Sequence, residues 1–121
     1  MKILIAEDDP IMLAYIARQL KSENYEIFST TDGQEALEKL DSFSPDLIVT
    51  DILMPMVSGL DVIGIVRSNP LKKIPILVLS GIDEEETVLE AFSIGADDFI
   101  TKPFKPQELS MRVKRLLGNK K

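Results

Sequence analysis

The chain has no cysteine and no histidine. Without cysteine there are no disulfides, thiol nucleophiles or thiolate metal sites. The missing histidine leaves oxygen as the donor for any bound metal, a poor match to zinc and a good one to hard cations such as Mg2+. No apolar run approaches the length of a bilayer span, and Glu7, Asp8 and Asp9 cut off the first run before a signal-peptide core could form. A cytoplasmic protein without membrane contact is therefore expected. Positive charge is also short: the net charge of −6 opposes direct nucleic-acid binding, which needs a basic footprint. The basic cluster Arg112, Lys114, Arg115, Lys120 and Lys121 is the exception, and it is explained by a last helix whose cations complement its C-terminal dipole.

Repeats, low-complexity segments and Gly/Ser linkers are missing too, so 121 residues read as one domain over residues 1–121. The apolar fraction of 45% and charged fraction of 28% are those of a folded core with a soluble surface. Short apolar runs alternate with segments of helical period, the pattern of βαβ units on a parallel sheet. Strands are predicted at residues 2–6, 25–29, 47–50, 76–79 and 98–101, and five helices at 10–22, 34–40, 59–67, 84–94 and 107–117. Asp9-Pro10 supplies an N-cap followed by a first-turn proline. Thr31 with Gln34, and Asp83 with Glu86, have capping spacing. Gly95 suits a left-handed C-cap, and Ser68-Asn69-Pro70 closes the third helix. Leu13, Ile16, Ala17 and Leu20, and likewise Val62, Ile63 and Val66, fall on single helical faces and belong to the core. Right-handed crossovers leave few arrangements of five parallel strands, and the common one at this size is a flavodoxin-like, doubly wound α/β sheet of order 2-1-3-4-5.

The chemistry sits where the strands end. The first run ends on Glu7-Asp8-Asp9, the third on Asp51, the fourth on Ser80 and the fifth on Lys102. In such a sheet these residues share the carboxyl edge, with the switch point between the first and third strands. Three carboxylates, Glu7, Asp8 and Asp51, would meet there, and their repulsion calls for a cation, for which Mg2+ is the natural choice. Asp9 is accounted for by helix capping. Beside a divalent cation Asp51 becomes a candidate carboxylate nucleophile of the aspartyl-phosphate kind, and Ser80 and Lys102 supply the hydroxyl and ammonium that stabilise a phosphoryl group.

Four ordered motifs now stand together: Ala6-Glu7-Asp8-Asp9-Pro10; Thr50-Asp51-Ile52-Leu53-Met54-Pro55 with Gly59; Leu79-Ser80-Gly81; and Gly95-Ala96-Asp97-Asp98-Phe99-Ile100-Thr101-Lys102-Pro103-Phe104. Over essentially the whole chain they resemble the receiver domain of bacterial two-component response regulators. The flavodoxin-like strand order belongs to that family, so it and the resemblance are one statement. The resemblance implies a switch that catalyses only its own phosphorylation and slow self-dephosphorylation. Asp51 would accept a phosphoryl group from a phosphohistidine on a sensor histidine kinase or histidine phosphotransfer protein. Asp8, Asp51 and the backbone carbonyl of Leu53 would ligate Mg2+, with Glu7 acting through water. Ser80, Lys102 and backbone N–H groups near Leu53 and Gly81 would contact phosphoryl oxygens. Lys102-Pro103 would be cis, and Phe99 would be the switch aromatic that responds to Ser80. The family's influential positions for phosphoryl lifetime fall on Leu53 and Ile82.

Two departures are visible. Ser58 stands where the family often has Asp before Gly59, and Phe99 lacks a tyrosine hydroxyl. Residues 95–104 with Arg112 and Arg115 also resemble receivers of winged-helix transcription regulators. Those form phosphorylation-dependent dimers through the fourth helix, fifth strand and fifth helix by pairing acids such as Asp97 or Asp98 with arginines of the last helix. Here the fourth helix carries no Lys or Arg between Asp83 and Ile94, so a monomer or a weak dimer is expected, with the effector unspecified. Among rivals, a haloacid-dehalogenase-like phosphatase needs a second aspartate where Leu53 stands. A flavin carrier needs hydroxyl and N–H donors where Glu7-Asp8-Asp9 would repel phosphate. A degenerate receiver acting only as an interaction module usually lacks the acids or the lysine, and all are present.

Overall fold

The computed structural model describes residues 1–70, 72–81 and 84–118. Five strands form one parallel sheet: β1 (Lys2–Ala6), β2 (Glu26–Thr30), β3 (Leu47–Asp51), β4 (Ile76–Ser80) and β5 (Asp98–Thr101), in the order β2-β1-β3-β4-β5. The expected order is the observed one. The register sets Ile3 beside Leu47 and Ala6 beside Thr50, which brings the residues after β1 next to Asp51.

Alternation along the strands builds two cores. Ile3, Ile5, Leu47, Val49, Leu77, Leu79 and Ile100 face α1 (Pro10–Lys21) and α6 (Pro106–Gly118). Leu4, Ala6, Ile48, Ile76 and Val78 face the other layer: α2 (Gly33–Glu38), α3 (Leu40–Phe43), α4 (Gly59–Arg67) and α5 (Glu85–Ile94). Ile3, Leu4 and Ile5 are wholly buried; each such side chain contributes roughly 1.5–3 kcal/mol of transfer free energy. The apolar faces expected on the helices are the ones that pack: Ile16, Ala17 and Leu20 on α1, with Leu13 partly buried, and Val62, Ile63 and Val66 on α4.

The described residues contain six helices where five were expected. The segment predicted as one helix at 34–40 breaks at Lys39, whose N–H lies 3.2 Å from the carbonyls of both Glu35 and Ala36. That bifurcated bond closes α2, and the short α3 follows. The fourth and fifth predicted helices are therefore α5 and α6, and β2 lies one residue later than expected. The cap of α2 also differs: Asp32 accepts from the Glu35 N–H at 2.7 Å and Glu35 reaches back to the Thr31 N–H at 3.1 Å, so the box is Asp32/Glu35 and not Thr31/Gln34. Asp9 caps α1 with Pro10 in its first turn, and Ser68 closes α4. Asp83, expected to open α5, lies outside the described residues, as do Ile82, Lys120 and Lys121. No helix among the described residues is long and apolar enough to cross a membrane.

Two clamps fix the far end of the outer strands. Gly95 takes a φ of 124°, a region open chiefly to glycine, and the Arg67 side chain lies where a Cβ would be, its Cγ 2.6 Å from that point. The guanidinium then donates to the carbonyls of Gly95 and Ile74 and to Asp97 at 3.0, 2.7 and 2.7 Å. On the neighbouring strand-start position, Asp98 accepts from Arg112 and Arg115 of α6 at 2.9 and 2.7 Å. The two acids expected to serve a dimer are thus engaged within the chain.

Candidate functional site

The carboxyl ends of β1, β3, β4 and β5 converge as expected. Carboxylate oxygens of Glu7, Asp8 and Asp51 lie within 4.8 Å of one another. At that spacing each pair of charges repels by roughly 3 kcal/mol at an effective dielectric near 20. Glu7 is 1% exposed and Asp51 8% exposed, whereas Asp8 faces solvent. The all-oxygen, partly open donor set fits Mg2+, which keeps several waters and takes one or two carboxylates.

Lys102 is drawn into this cluster. Its ammonium lies 2.6 Å from Glu7 Oε1 and 3.2 Å from Asp51 Oδ2, with its side chain 17% exposed. Its own N–H donates to the Ser80 carbonyl at 2.8 Å, which fixes where the stem starts. The Lys102-Pro103 peptide is cis, as the resemblance implied. Burial works to discharge the ammonium, but the hydrogen bond to Glu7 and the charge of Asp51 outweigh it, so its pKa is raised and it stays charged. Glu7 is also raised, chiefly by burial, with the Lys102 and Asp9 N–H bonds offsetting only part. Three carboxylates and one ammonium leave two negative charges in excess, the deficit that a divalent cation would meet.

Both Glu7 oxygens are engaged within the chain: one holds Lys102 and the other accepts from the Asp9 N–H at 3.1 Å, so Glu7 anchors the lysine. Asp51 is held by the Ile52 N–H on Oδ1 at 2.7 Å and by Lys102 on Oδ2. Ser80 ends β4 fully buried, and Phe99 is partly buried against the second core. Leu53, just past Asp51, is 61% exposed. Among the described residues, a Cβ at Gly81 would meet nothing within 4 Å.

Sequence reasoning matched Gly59 to a motif without finding its reason. The Gly59 N–H donates to the Ile52 carbonyl at 2.8 Å, pinching the loop after Asp51 into a closed turn. A Cβ at Gly59 would lie 1.9 Å from the Asp51 carbonyl oxygen. The α4 start is further set by a Ser58/Asp61 capping box, whose serine-to-acid spacing is visible in the sequence. Within the turn, Met56 takes a φ of 67° while Val57 N–H bonds the Pro55 carbonyl at 2.8 Å.

Comparison with known proteins agrees with this geometry. Residues 3–114 match the family model described as the response regulator receiver domain. The chain is 38% identical over 116 residues to the alkaline phosphatase synthesis transcriptional regulatory protein PhoP of Bacillus subtilis, covering 96% of this chain and 48% of that one. It is also 38% identical over 120 residues to the sensor histidine kinase TmoS of Ectopseudomonas mendocina, covering 98% of this chain and 12% of that one. The chain thus spans about half of one relative and a small part of the other. Among solved structures, the Francisella response regulator 1452 receiver domain superposes with a TM-score of 0.92 at 32% identity, covering 99% of this chain and 98% of that one. With a parallel sheet of this order, an acidic cluster at its switch point and a family match over nearly its full length, the chain belongs to the response regulator receiver domain family of two-component signalling.

Proposed function

We propose that this domain is a phosphorylation switch in which Asp51 takes a phosphoryl group from the phosphohistidine of a sensor histidine kinase or histidine phosphotransfer protein. The observation that carries this reading is the Lys102 ammonium shared between Glu7 and Asp51 beside the three-acid cluster. Asp51 Oδ attacks phosphorus, a P–O bond forms, the P–N bond breaks, and the histidine, protonated on its other ring nitrogen, takes the electron pair and leaves as the neutral imidazole. Lys102 passes from the Asp51 carboxylate to a phosphoryl oxygen, and the Ser80 hydroxyl donates to another. Asp8, Asp51 and the Leu53 carbonyl would hold Mg2+, with Glu7 at its border. When bound, the ion supplies positive charge to the phosphoryl oxygens. We place the domain in the cytoplasm, as a single unit over residues 1–121 whose partner or effector reads the surface of Phe99 and α5. The internal pairing of Asp97 and Asp98 with Arg67, Arg112 and Arg115 supports a monomer or a weak dimer.

The test is a heteronuclear NMR titration with Mg2+ and then beryllofluoride, a phosphoryl mimic. Asp8→Ala is expected to weaken Mg2+ binding at least tenfold, and Glu7→Ala by less. Beryllofluoride should shift resonances from Asp51 out to Phe99 and α5, since a ligand moves an equilibrium only by differential interaction with its states. Equal losses from both substitutions would remove the division between direct and outer roles, and shifts confined to the acids would leave no switch.

Lifetime of the phosphorylated form follows from Leu53. Self-dephosphorylation needs a water placed in line behind phosphorus, and an exposed leucine beside Asp51 can shield the phosphoryl group but cannot orient that water. Leu53→Asn is expected to speed decay about fivefold, or about 1 kcal/mol off the barrier. A decay time course of purified phosphoprotein in Mg2+ buffer checks it, and equal or slower decay refutes it.

A further inference from the structure

The transfer needs the Lys102 ammonium in one place, yet the segment from Lys102 to Lys105, between β5 and α6, has neither strand nor helix. Lysine is a flexible four-carbon stem, so the position of its backbone decides what the ammonium can reach. One end of the loop is held by the Lys102 N–H on Ser80. Two residues on, Phe104 packs against the core beneath α1 and α6, and its ring stacks on Tyr15, centroids 5.7 Å apart and planes at 27°. Tyr15 stands in the second turn of α1, the helix whose N-cap, Asp9, directly follows Glu7 and Asp8. A single rigid helix therefore touches the acids at its start and the lysine loop at Tyr15.

We propose that Tyr15 is a positioning residue for phosphotransfer: by holding Phe104 against α1, it fixes the Lys102 loop at the spacing from Glu7 and Asp51 that the ammonium bridges. This rests on Asp51 being the phosphoacceptor. The Tyr15 hydroxyl is 3.5 Å from the Phe104 carbonyl, the long limit of a hydrogen bond, so the ring does the holding. Tyr15→Phe should accordingly preserve function and Tyr15→Ala should not.

The experiment compares wild type, Tyr15→Phe, Tyr15→Ala and Tyr15→Leu, with Gln19→Ala as control because Gln19 joins the same two helices through Ser110 at 2.9 Å. Acetyl phosphate with Mg2+ serves as donor, so docking of a protein partner on α1 is not read. Tyr15→Ala is expected to slow labelling about tenfold, since small misplacements of a reacting group are costly, while calorimetric Mg2+ affinity stays within about twofold of wild type. Tyr15→Leu, which keeps apolar packing without the stack, should show the same split and stands in if the alanine variant does not fold. Tyr15→Phe and Gln19→Ala should label like wild type. Nitrogen-15 NMR should show a slowly exchanging Lys102 ammonium signal in wild type and Tyr15→Phe that is lost in Tyr15→Ala and Tyr15→Leu. Wild-type labelling by both Tyr15→Ala and Tyr15→Leu overturns the proposal, as does a slowing matched by Gln19→Ala or by a parallel loss of Mg2+ affinity. Unlabelled wild type would instead remove the phosphoacceptor reading, and the ammonium signal would still decide whether Tyr15 holds Lys102.

Discussion

Asp51→Asn is expected to abolish phosphoryl incorporation from acetyl phosphate in Mg2+ buffer. The substitution keeps the side chain's size and its acceptance of the Ile52 N–H, but an amide has no anionic oxygen to attack phosphorus. Other carboxylates near the site are poorly placed to substitute. Glu7 has one oxygen on Lys102 and the other on the Asp9 N–H, and Asp8 stands at the solvent edge of the cluster. Asp51 alone of the three both ends a central strand and contacts the ammonium on the side of Ser80 and Lys102. Labelling should fall to background, a loss of at least a hundredfold or about 2.7 kcal/mol in barrier. Phosphoprotein gels or intact-mass measurement checks it, and undiminished labelling of the variant would move the acceptor elsewhere.

Gly59→Ala should be among the most damaging single-methyl changes available. Its Cβ would lie 1.9 Å from the Asp51 carbonyl oxygen, 2.8 Å from the Asp51 carbonyl carbon and 2.9 Å from Ile52 Cα. All three are backbone atoms, so no side chain can turn aside. Either α4 backs away from the sheet, opening the contacts of Val62, Ile63 and Val66, or the end of β3 shifts and carries Asp51 with it. Overpacking of this kind costs about 3 kcal/mol, equivalent to a fall of about 10 °C in melting temperature for a domain of this size. Labelling should drop as well, because the shifted atoms belong to Asp51, the proposed phosphoacceptor. A melt within 2 °C of wild type together with normal labelling would show that the turn yields more easily than this geometry allows.

The sheet was legible because buried parallel strands leave an unambiguous trace: short apolar runs, each closed by a polar residue at the same edge. Glu7, Asp8, Asp51, Ser80 and Lys102 could be placed together from that trace alone. What could not be read was contact at long sequence separation. Arg67 carries no local sequence signal of its partners, which sit at Ile74, Gly95 and Asp97. Asp97 and Asp98, which the resemblance to winged-helix receivers offered to a second copy, pair instead within the chain with Arg67, Arg112 and Arg115. Tyr15 and Phe104 were invisible as a pair for the same reason, being 89 residues apart. The break at Lys39 was hidden by a different cause, since residues 34–40 keep a helical pattern across it and only the shared N–H marks the stop.

The strand order divides the chemistry between two stretches of chain. Glu7, Asp8 and Asp51 all come from the first 51 residues, at the ends of the adjacent strands β1 and β3, whereas Ser80 and Lys102 stand at the ends of β4 and β5. The seam between β3 and β4 therefore runs through the middle of the site, with the three acids on one side and the hydroxyl and the ammonium on the other. A phosphoryl group on Asp51 would touch both, acting as a cross-brace between early and late halves of the chain. Charge-assisted contacts that such a group makes only in the folded chain would add to that state's stability. A phosphoryl group there would thus make the two halves harder to pull apart, so that resistance to mechanical or proteolytic separation at that seam would read out phosphorylation.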